Sequence, residues 1–471
     1  MVNESLDALI SERFPDVCVD KRAAREVGIG ERAIPAFVAD WLVSRYSQTG
    51  VLDKERIQDF LANHLPDKQQ VNLLRNRLLE GEQVTILDAY SVEVDLQRGR
   101  RVLKIPSLDI FDAFVADEIV ESNNLLLVGS VWGGGRLVCR RAPDVPERRQ
   151  IWMDDFRPMQ TSVVDIDYFI DQRNAFSLQQ WRELLIQSMG YNSASYTGQQ
   201  QTWMLARLTA LVQPRLNIVE LAPKGTGKSY VFSQLSKYAW LISGGIVTRA
   251  QLFYNMATKM PGVITRYDAV ILDEVQTIRL SDEGQVLGAL KGFLEAGEFR
   301  VMGYQGNSEA GFGLLANIPI GADGRPQRRN YFELLPAWLH GPESTALLDR
   351  LHGLIPGWDL PRIRKDCLAT GMGLRADYLS EILHALRLRG EYMDYVKQHT
   401  RTSGDLRDIR AVQRLAAGLL RLFFPDLDTV NPRLFAQHCL EPAKQLRQGV
   451  RYQLAEMDEE YKPELAHIEA V

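Results

Sequence analysis

Residues Asn217–Tyr230 read NIVELAPKGTGKSY. A short apolar run passes into a glycine-bearing turn, and a helix-compatible segment, SYVFSQLSKYAWLIS, follows. A phosphate cradle needs successive backbone N–H groups pointing inward, and glycine permits that curvature. A helix N-terminus behind the cradle adds a dipole that favours anions. Gly225 and Gly227 supply the curvature, Lys228 would reach the β- and γ-phosphates, and Ser229 would bind Mg²⁺. The stretch Pro223, Lys224, Gly225, Thr226, Gly227, Lys228, Ser229 and Tyr230 is thus the candidate ATP-binding segment. Ala222 stands where the pattern G-x-x-x-x-G-K-[ST] has its first glycine. That position is a strand exit, which does not call for the positive φ that alanine resists.

Working outward, YDAVILDEVQ is a second buried-strand candidate, and it ends in two acids. Asp273 would hold Mg²⁺, and Glu274 would polarise the water that attacks the γ-phosphate. GFGLLANIPI is a third strand with Asn317 near its end, suited to ordering that water or touching the phosphate. A loop-capping asparagine is the plain alternative. TALLDRLHGLIPGW carries Arg350 at a helix end, a suitable place for an arginine finger, and a surface arginine paired with Asp349 is its plain alternative. Arg375 opens the helix of GMGLRADYLSEIL, where the dipole disfavours a cation, so an anionic partner such as bound phosphate is expected. Strands alternating with helices argue for an α/β fold with a parallel sheet covered on both faces. GIVT reads as a further buried strand, and SYVFSQLSKYAWLIS reads as helix throughout.

The chain of 471 residues is too long for one core. It divides into a helical domain (1–80), a β-rich, OB-like domain (81–165), a helical connector (166–205), the nucleotide-binding core (206–360) and a helical lid and tail (361–471). In the first domain AIPAFVADWLVSRYSQ sets Ile34, Phe37, Val38, Trp41 and Leu42 on one helical face, and Asp53 caps DKERIQDFLANHL. In the second, VTILDAYSVEVDLQRGRRVLKIP alternates polar and apolar residues, and LLLVGSVWGGGRLVCRR repeats the theme. Both read as strands of a small barrel or sandwich with glycine-rich turns. Ser177 starts a helix in RNAFSLQQWRELLIQ. After Pro361 the pattern is nearly all helical.

A formal net charge of −5 excludes a basic sheath for nucleic acid but leaves room for a local basic channel. The four cysteines lie far apart and form no C-x-x-C pair, so neither a zinc knuckle nor a disulfide framework is indicated. No run approaches the roughly 20 apolar residues of a membrane helix. A cytoplasmic protein with no membrane partner is expected.

The phosphate loop, LDE, an asparagine and two arginines in this order resemble the AAA+ ATPases, and ALLDR resembles the arginine-finger segment of their Lon branch. IPAFVADWLVSRY, VELAPKGTGKSY, YDAVILDEVQ, STALLDRLHGLIPGWDLPRI and MGLRADYLSEILHALR resemble the Lon-like BrxL family of BREX phage-defence systems, across nearly the whole chain. The resemblance implies an αβα AAA+ core with a helical lid behind an N-terminal domain. It implies a homo-oligomeric ring, hexameric and single or stacked in pairs, that encircles double-stranded DNA as MCM-type helicases do. Lys228, Ser229, Asp273, Glu274 and Asn317 would act in one subunit, Arg350 from its neighbour, and Arg375 from either. Other BREX proteins are implied partners. Longer members carry a Lon-like protease domain after the lid. Here Val471 comes first, and proteolysis is not expected.

For DNA contact the basic strand and turn residues are Arg98, Arg100, Arg101 and Lys104, then Arg136, Arg140, Arg141, Arg148 and Arg149. Arginine-lined hairpin tips track phosphates without reading bases; equally, positive charge on a strand edge blocks unwanted pairing. GEFRVMGYQGNSEAGFG reads as a pore-facing hairpin with Arg300, and Lys259 is another pore candidate. Arg325, Arg328 and Arg329 mark an exposed loop. A protein-remodelling ring, gripping polypeptide with Met302 and Tyr304, is a second reading. A nucleotide-switched scaffold for other defence proteins is a third.

Overall fold

The computed structural model describes the chain except residues 1, 29–33, 49–50, 97–98, 142–148, 160–163, 258 and 342–343. Two compact units result: Val19–Val164, and Met1–Cys18 together with Asp165–Val471. Among the described residues no helix is long and apolar enough to cross a membrane.

In the first unit α1 (Ala36–Tyr46) and α2 (Lys54–His64) pack around Val38, Leu42 and Ile57. Asp53 caps α2 by accepting from the Arg56 amide, as expected. A closed barrel follows: β1 (Val84–Asp95), β2 (Arg100–Ile105), β3 (Ile110–Val115), β4 (Val131–Arg141) and β5 (Arg149–Pro158), in the order β1-β2-β3-β5-β4. Two details differ from the sequence reading. Leu125–Val128 is a helical turn rather than strand. The triplet Gly133–Gly135 is not a turn but strand interior, paired with Leu87 and its neighbours. The reason is packing: a Cβ on Gly135 would meet the Tyr90 ring at 2.6 Å, and one on Gly133 would meet the Phe156 ring at 2.6 Å. The barrel fills itself with these two aromatics, which stand edge to face.

The second unit is built on a parallel sheet of β6 (Asn217–Ala222), β7 (Ala239–Ser243), β8 (Ala269–Asp273), β11 (Gly311–Asn317) and β12 (Gly353–Pro356), in the order β7-β8-β11-β6-β12. The hairpin β9 (Glu298–Val301) and β10 (Tyr304–Asn307) stands apart from it. Every residue of β6 and β8 is buried, which explains their continuous apolar reading. The second strand of the sheet comes from AWLIS, inside the segment read as helix. The helix α6 (Lys228–Gln234) ends five residues earlier. β7 is an edge strand with Trp240 exposed, so no alternating burial marks it in the sequence. Ile246–Val247 does form strand, but it pairs outside the main sheet with Arg279–Leu280.

Helices α3 (Leu178–Ser188) and α4 (Gly198–Ala206) precede the sheet, each opened by a capping box, Ser177/Gln180 and Thr197/Gln200. α5 precedes α6 as the short turn Thr209–Val212. α7 (Glu283–Ala296) carries the chain from β8 to the hairpin. After β12 the helical lid follows: α8 (Ala376–Arg387), α9 (Leu406–Phe423) and α10 (Glu441–Met457). The fold is thus a mixed α/β AAA+-type core with a helical lid, preceded by a five-stranded, OB-like barrel.

Candidate nucleotide site

Parallel strands present their carboxyl ends to one edge of the sheet, where α/β folds bind ligands. The loop 223–227 leaves β6 at that edge and leads into α6. Gly225 and Gly227 both have left-handed backbones, φ +86° and +75°. Ala222 needs no such freedom. It is the last residue of β6, fully buried, with no left-handed φ. Space for its methyl group comes from Gly357, where any Cβ would lie 2.6 Å from that of Ala222. The missing glycine is therefore compensated across the strand pair.

The loop is pinned from three sides. The Ile363 amide donates to the Gly225 carbonyl at 2.7 Å, the Tyr191 hydroxyl to that of Gly227 at 3.1 Å, and Arg207 to that of Thr226 at 3.2 Å. Arg207 is itself fully buried and grips Glu220 of β6 with two bonds, 2.6 and 2.9 Å. Glu220 holds the Arg207 guanidinium above the usual arginine range despite burial. None of these three supports was assigned from sequence. Glu220 was visible as a charge inside an apolar strand, a residue type almost never fully buried unless paired.

The sheet register brings Asn317 beside Ala222, and the Lys228 ammonium donates to Asn317 Oδ1 at 2.5 Å. Burial pushes Lys228 below the usual lysine range, against the opposing pull of Glu220, Asp273 and Glu274. Asp273 is buried at the end of β8 and accepts from the Glu274 amide at 2.8 Å. Glu274 is exposed and left-handed at φ +51°, a conformation a bulky residue rarely holds without cause. Gln276 locks the neighbouring turn by accepting from the Asn317 amide at 3.0 Å. Loop, lysine, two acids and asparagine thus converge on one edge. The donor set fits a magnesium nucleotide: backbone amides and a lysine for phosphate oxygens, a hydroxyl and a carboxylate for a hard cation. The buried Thr226 hydroxyl has no protein partner among the described residues.

The two arginines lie elsewhere. Arg350 follows the short helix Ser344–Leu348, and its Nε is 3.0 Å from Glu295 rather than paired with Asp349. It lines a cavity of about 370 Å³ with Arg215, Arg407, Arg410 and Arg414. Arg375 stands at the start of α8, where its anionic partner is Asp377 Oδ2 at 2.6 Å. Of the basic residues considered for DNA, Arg98 and Arg148 lie outside the described residues. Arg101 pairs with Asp117 at 2.7 Å, Arg140 with Asp154 at 2.6 Å and Lys104 with Glu93. Arg100 lies over the Phe114 ring, and Arg149 donates to the Leu79 carbonyl. Arg136, Arg141, Lys259, Arg300, Arg325, Arg328 and Arg329 are exposed.

A parallel sheet in this strand order, with a lysine loop leaving one strand and meeting the asparagine that ends the next, defines a AAA+ ATPase domain. The profile of the family "Lon-like protease BrxL-like, ATPase domain" matches residues 151–467, and that of "BREX system Lon protease-like protein BrxL N-terminal" matches residues 12–138. The chain belongs to this BrxL family. It is 27% identical over 464 residues to "Lon-like protease BrxL" of Escherichia coli O9:H4 (strain HS), an alignment covering 96% of this chain and 65% of that protein. It is 25% identical over 432 residues to "Lon-like protease BrxL" of Bacillus cereus (strain H3081.97), covering 90% and 63%. The chain therefore spans somewhat less than two thirds of the length of these relatives.

Proposed function

We propose that this chain is the subunit of a cytoplasmic, ring-forming ATPase that encircles double-stranded DNA in phage defence, as a hexamer or paired hexamers alongside other BREX proteins. The observation that carries the ATPase part is the contact of Lys228 with Asn317, at an edge shared with Asp273 and Glu274. The loop amides from Pro223 to Tyr230 and Lys228 would hold the phosphates, and Ser229 and Asp273 would hold Mg²⁺. The metal would neutralise charge on the phosphoryl oxygens. Glu274 would take the proton of the attacking water, and Asn317 would fix that water's position once the nucleotide draws Lys228 away. Arg350, whose own contacts lie outside this loop, would act on the neighbouring subunit's nucleotide. Arg375 would reach phosphate only after leaving Asp377.

DNA as the substrate rests on exposed arginines at Arg136, Arg141, Arg300 and in the 325–329 loop. Arg100, Arg101 and Arg140 would contact phosphates by exchanging their present partners, and Lys259 by its own exposure. One observation favours the second reading, a ring that remodels protein. Met302, at the tip of the β9–β10 hairpin, is 68% exposed, and Tyr304 behind it stacks on Tyr254 at 3.8 Å. Binding to a duplex oligonucleotide across a salt series separates the two. Several phosphate contacts predict an affinity that falls steeply as salt rises. Affinity that is absent, or flat with salt, rules out the DNA ring.

A further inference from the structure

Arg350 lines the basic cavity. Its Nε lies 3.0 Å from Glu295 Oε2, an ion pair whose two buried atoms meet without hydrogen-bond alignment, and its Nη1 donates to the Ala346 carbonyl. Every other cation lining the cavity repels it: Arg215, Arg407, Arg410 and Arg414. The acids there are Glu295 and Asp349. Asp349 is already shared by Arg407 at 2.7 Å and the fully buried Arg447 at 2.7 Å. Glu295 is therefore the counter-charge that keeps Arg350 in place, although Arg407 Nη2 also approaches it at 3.3 Å.

An exposed ion pair carries little weight, because two long side chains must be frozen in one geometry. This one is different in its anchoring. Glu295 lies in the last turn of α7, and Arg215 donates to its backbone carbonyl at 3.0 Å. Arg350 is only 17% exposed, and its carbonyl accepts from the Asn217 side chain at 3.0 Å. Both backbones are thus fixed before the side chains meet, and the pair joins a network of arginines and carboxylates rather than standing alone.

We infer that Glu295 is the positioning residue of the arginine finger: its carboxylate holds the Arg350 guanidinium against the like charges around it. This rests on the proposed role of Arg350 and adds to it a named partner in the same subunit. Glu295 touches no nucleotide in this scheme and acts only through Arg350.

Steady-state ATP turnover of the full chain tests this, across ATP concentrations, for wild type, Glu295→Gln, Glu295→Asp, Arg350→Ala and the double variant Glu295→Gln/Arg350→Ala. A finger that acts on the transition state predicts a kcat about tenfold lower in Glu295→Gln with KM for ATP unchanged. Glu295→Asp, which keeps the charge, should recover part of the loss. In the Arg350→Ala background Glu295→Gln should lower kcat no further. An unchanged or raised kcat in both Glu295 variants, or losses that multiply in the double variant, overturns the inference while leaving the finger intact. Wild-type turnover in Arg350→Ala overturns the finger itself, and this inference with it.

Discussion

Ala222 and Glu220 sit two residues apart on β6 and teach opposite lessons. Ala222 departs from the phosphate-loop pattern at no cost to the cradle, because its φ is ordinary and Gly357 yields the space for its methyl. Restoring the glycine should therefore not tighten nucleotide binding. Ala222→Gly is expected to lower unfolding free energy by about 0.5–1 kcal/mol through backbone entropy, with an unchanged Kd for ATP by titration. A gain in affinity would contradict the reading of the strand exit. Glu220 conforms to nothing in the motif, yet it carries the loop through Arg207 and the Thr226 carbonyl. Removing one partner of a buried pair leaves an uncompensated charge and costs about 3–5 kcal/mol. Glu220→Gln should show that loss in urea unfolding, and weaker ATP binding too, since Arg207 then loses its orientation. A stable variant with unaltered affinity would mean that the loop needs no support from below.

At the scale of elements, legibility followed burial. β6 and β8 were readable because both faces are covered, so their sequence is apolar without interruption. β7 was hidden for the opposite reason: it is an edge, exposes Trp240, and continues the helical period of the segment before it. Gly133–Gly135 looked like a turn because glycine marks turns more often than it makes room for a tyrosine and a phenylalanine inside a barrel. The site divides in the same way. Asp273 and Asn317 stand at strand ends and Lys228 at a helix start, so all three could be placed by counting, whereas Tyr191, Arg207 and Glu295 reach their partners from distant elements. The junction of β6 with β12 makes a further prediction. His352 makes two hydrogen bonds with the Asn217 backbone there, its own backbone N–H donating to the Asn217 carbonyl and its ring Nδ1 accepting from the Asn217 N–H, both at 2.7 Å. Burial first, then Arg414, Arg447 and Arg215, hold the imidazole well below the usual histidine range. The folded state thus keeps it neutral while the unfolded chain takes up a proton near pH 6.5. Stability present above about pH 6.5 is then lost as pH falls, by up to about 1.4 kcal/mol per pH unit from this group. Urea unfolding between pH 7.5 and 5.5 should show a shallower pH slope in His352→Gln than in wild type. Equal slopes would remove His352 from the account.

For the whole molecule, the separation of Arg350 from the loop decides how the site is completed. In the proposed ring, a heterologous, head-to-tail interface would bring the finger of one subunit to the phosphates of the next, and a monomer would lack it. Two inactive variants then complement each other. Lys228→Ala lacks its own phosphate lysine but keeps a sound finger, and Arg350→Ala keeps a sound loop but offers no finger. Each alone should turn over far more slowly than wild type. Co-expressed with distinct tags and purified through both, they should form rings in which an Arg350→Ala loop faces a Lys228→Ala finger. With random placement, one junction in about four has that arrangement. ATP hydrolysis should accordingly return to about a quarter of the wild-type rate per subunit, or less if neighbouring sites must fire in turn. A finger acting within its own subunit gives no recovery at all, because every subunit in the mixture carries a lesion. Wild-type protein, diluted until rings dissociate, should lose its turnover with the protein concentration while its ATP binding persists. Turnover that survives dilution undiminished would place Arg350 at its own subunit's nucleotide and remove the reason for a ring.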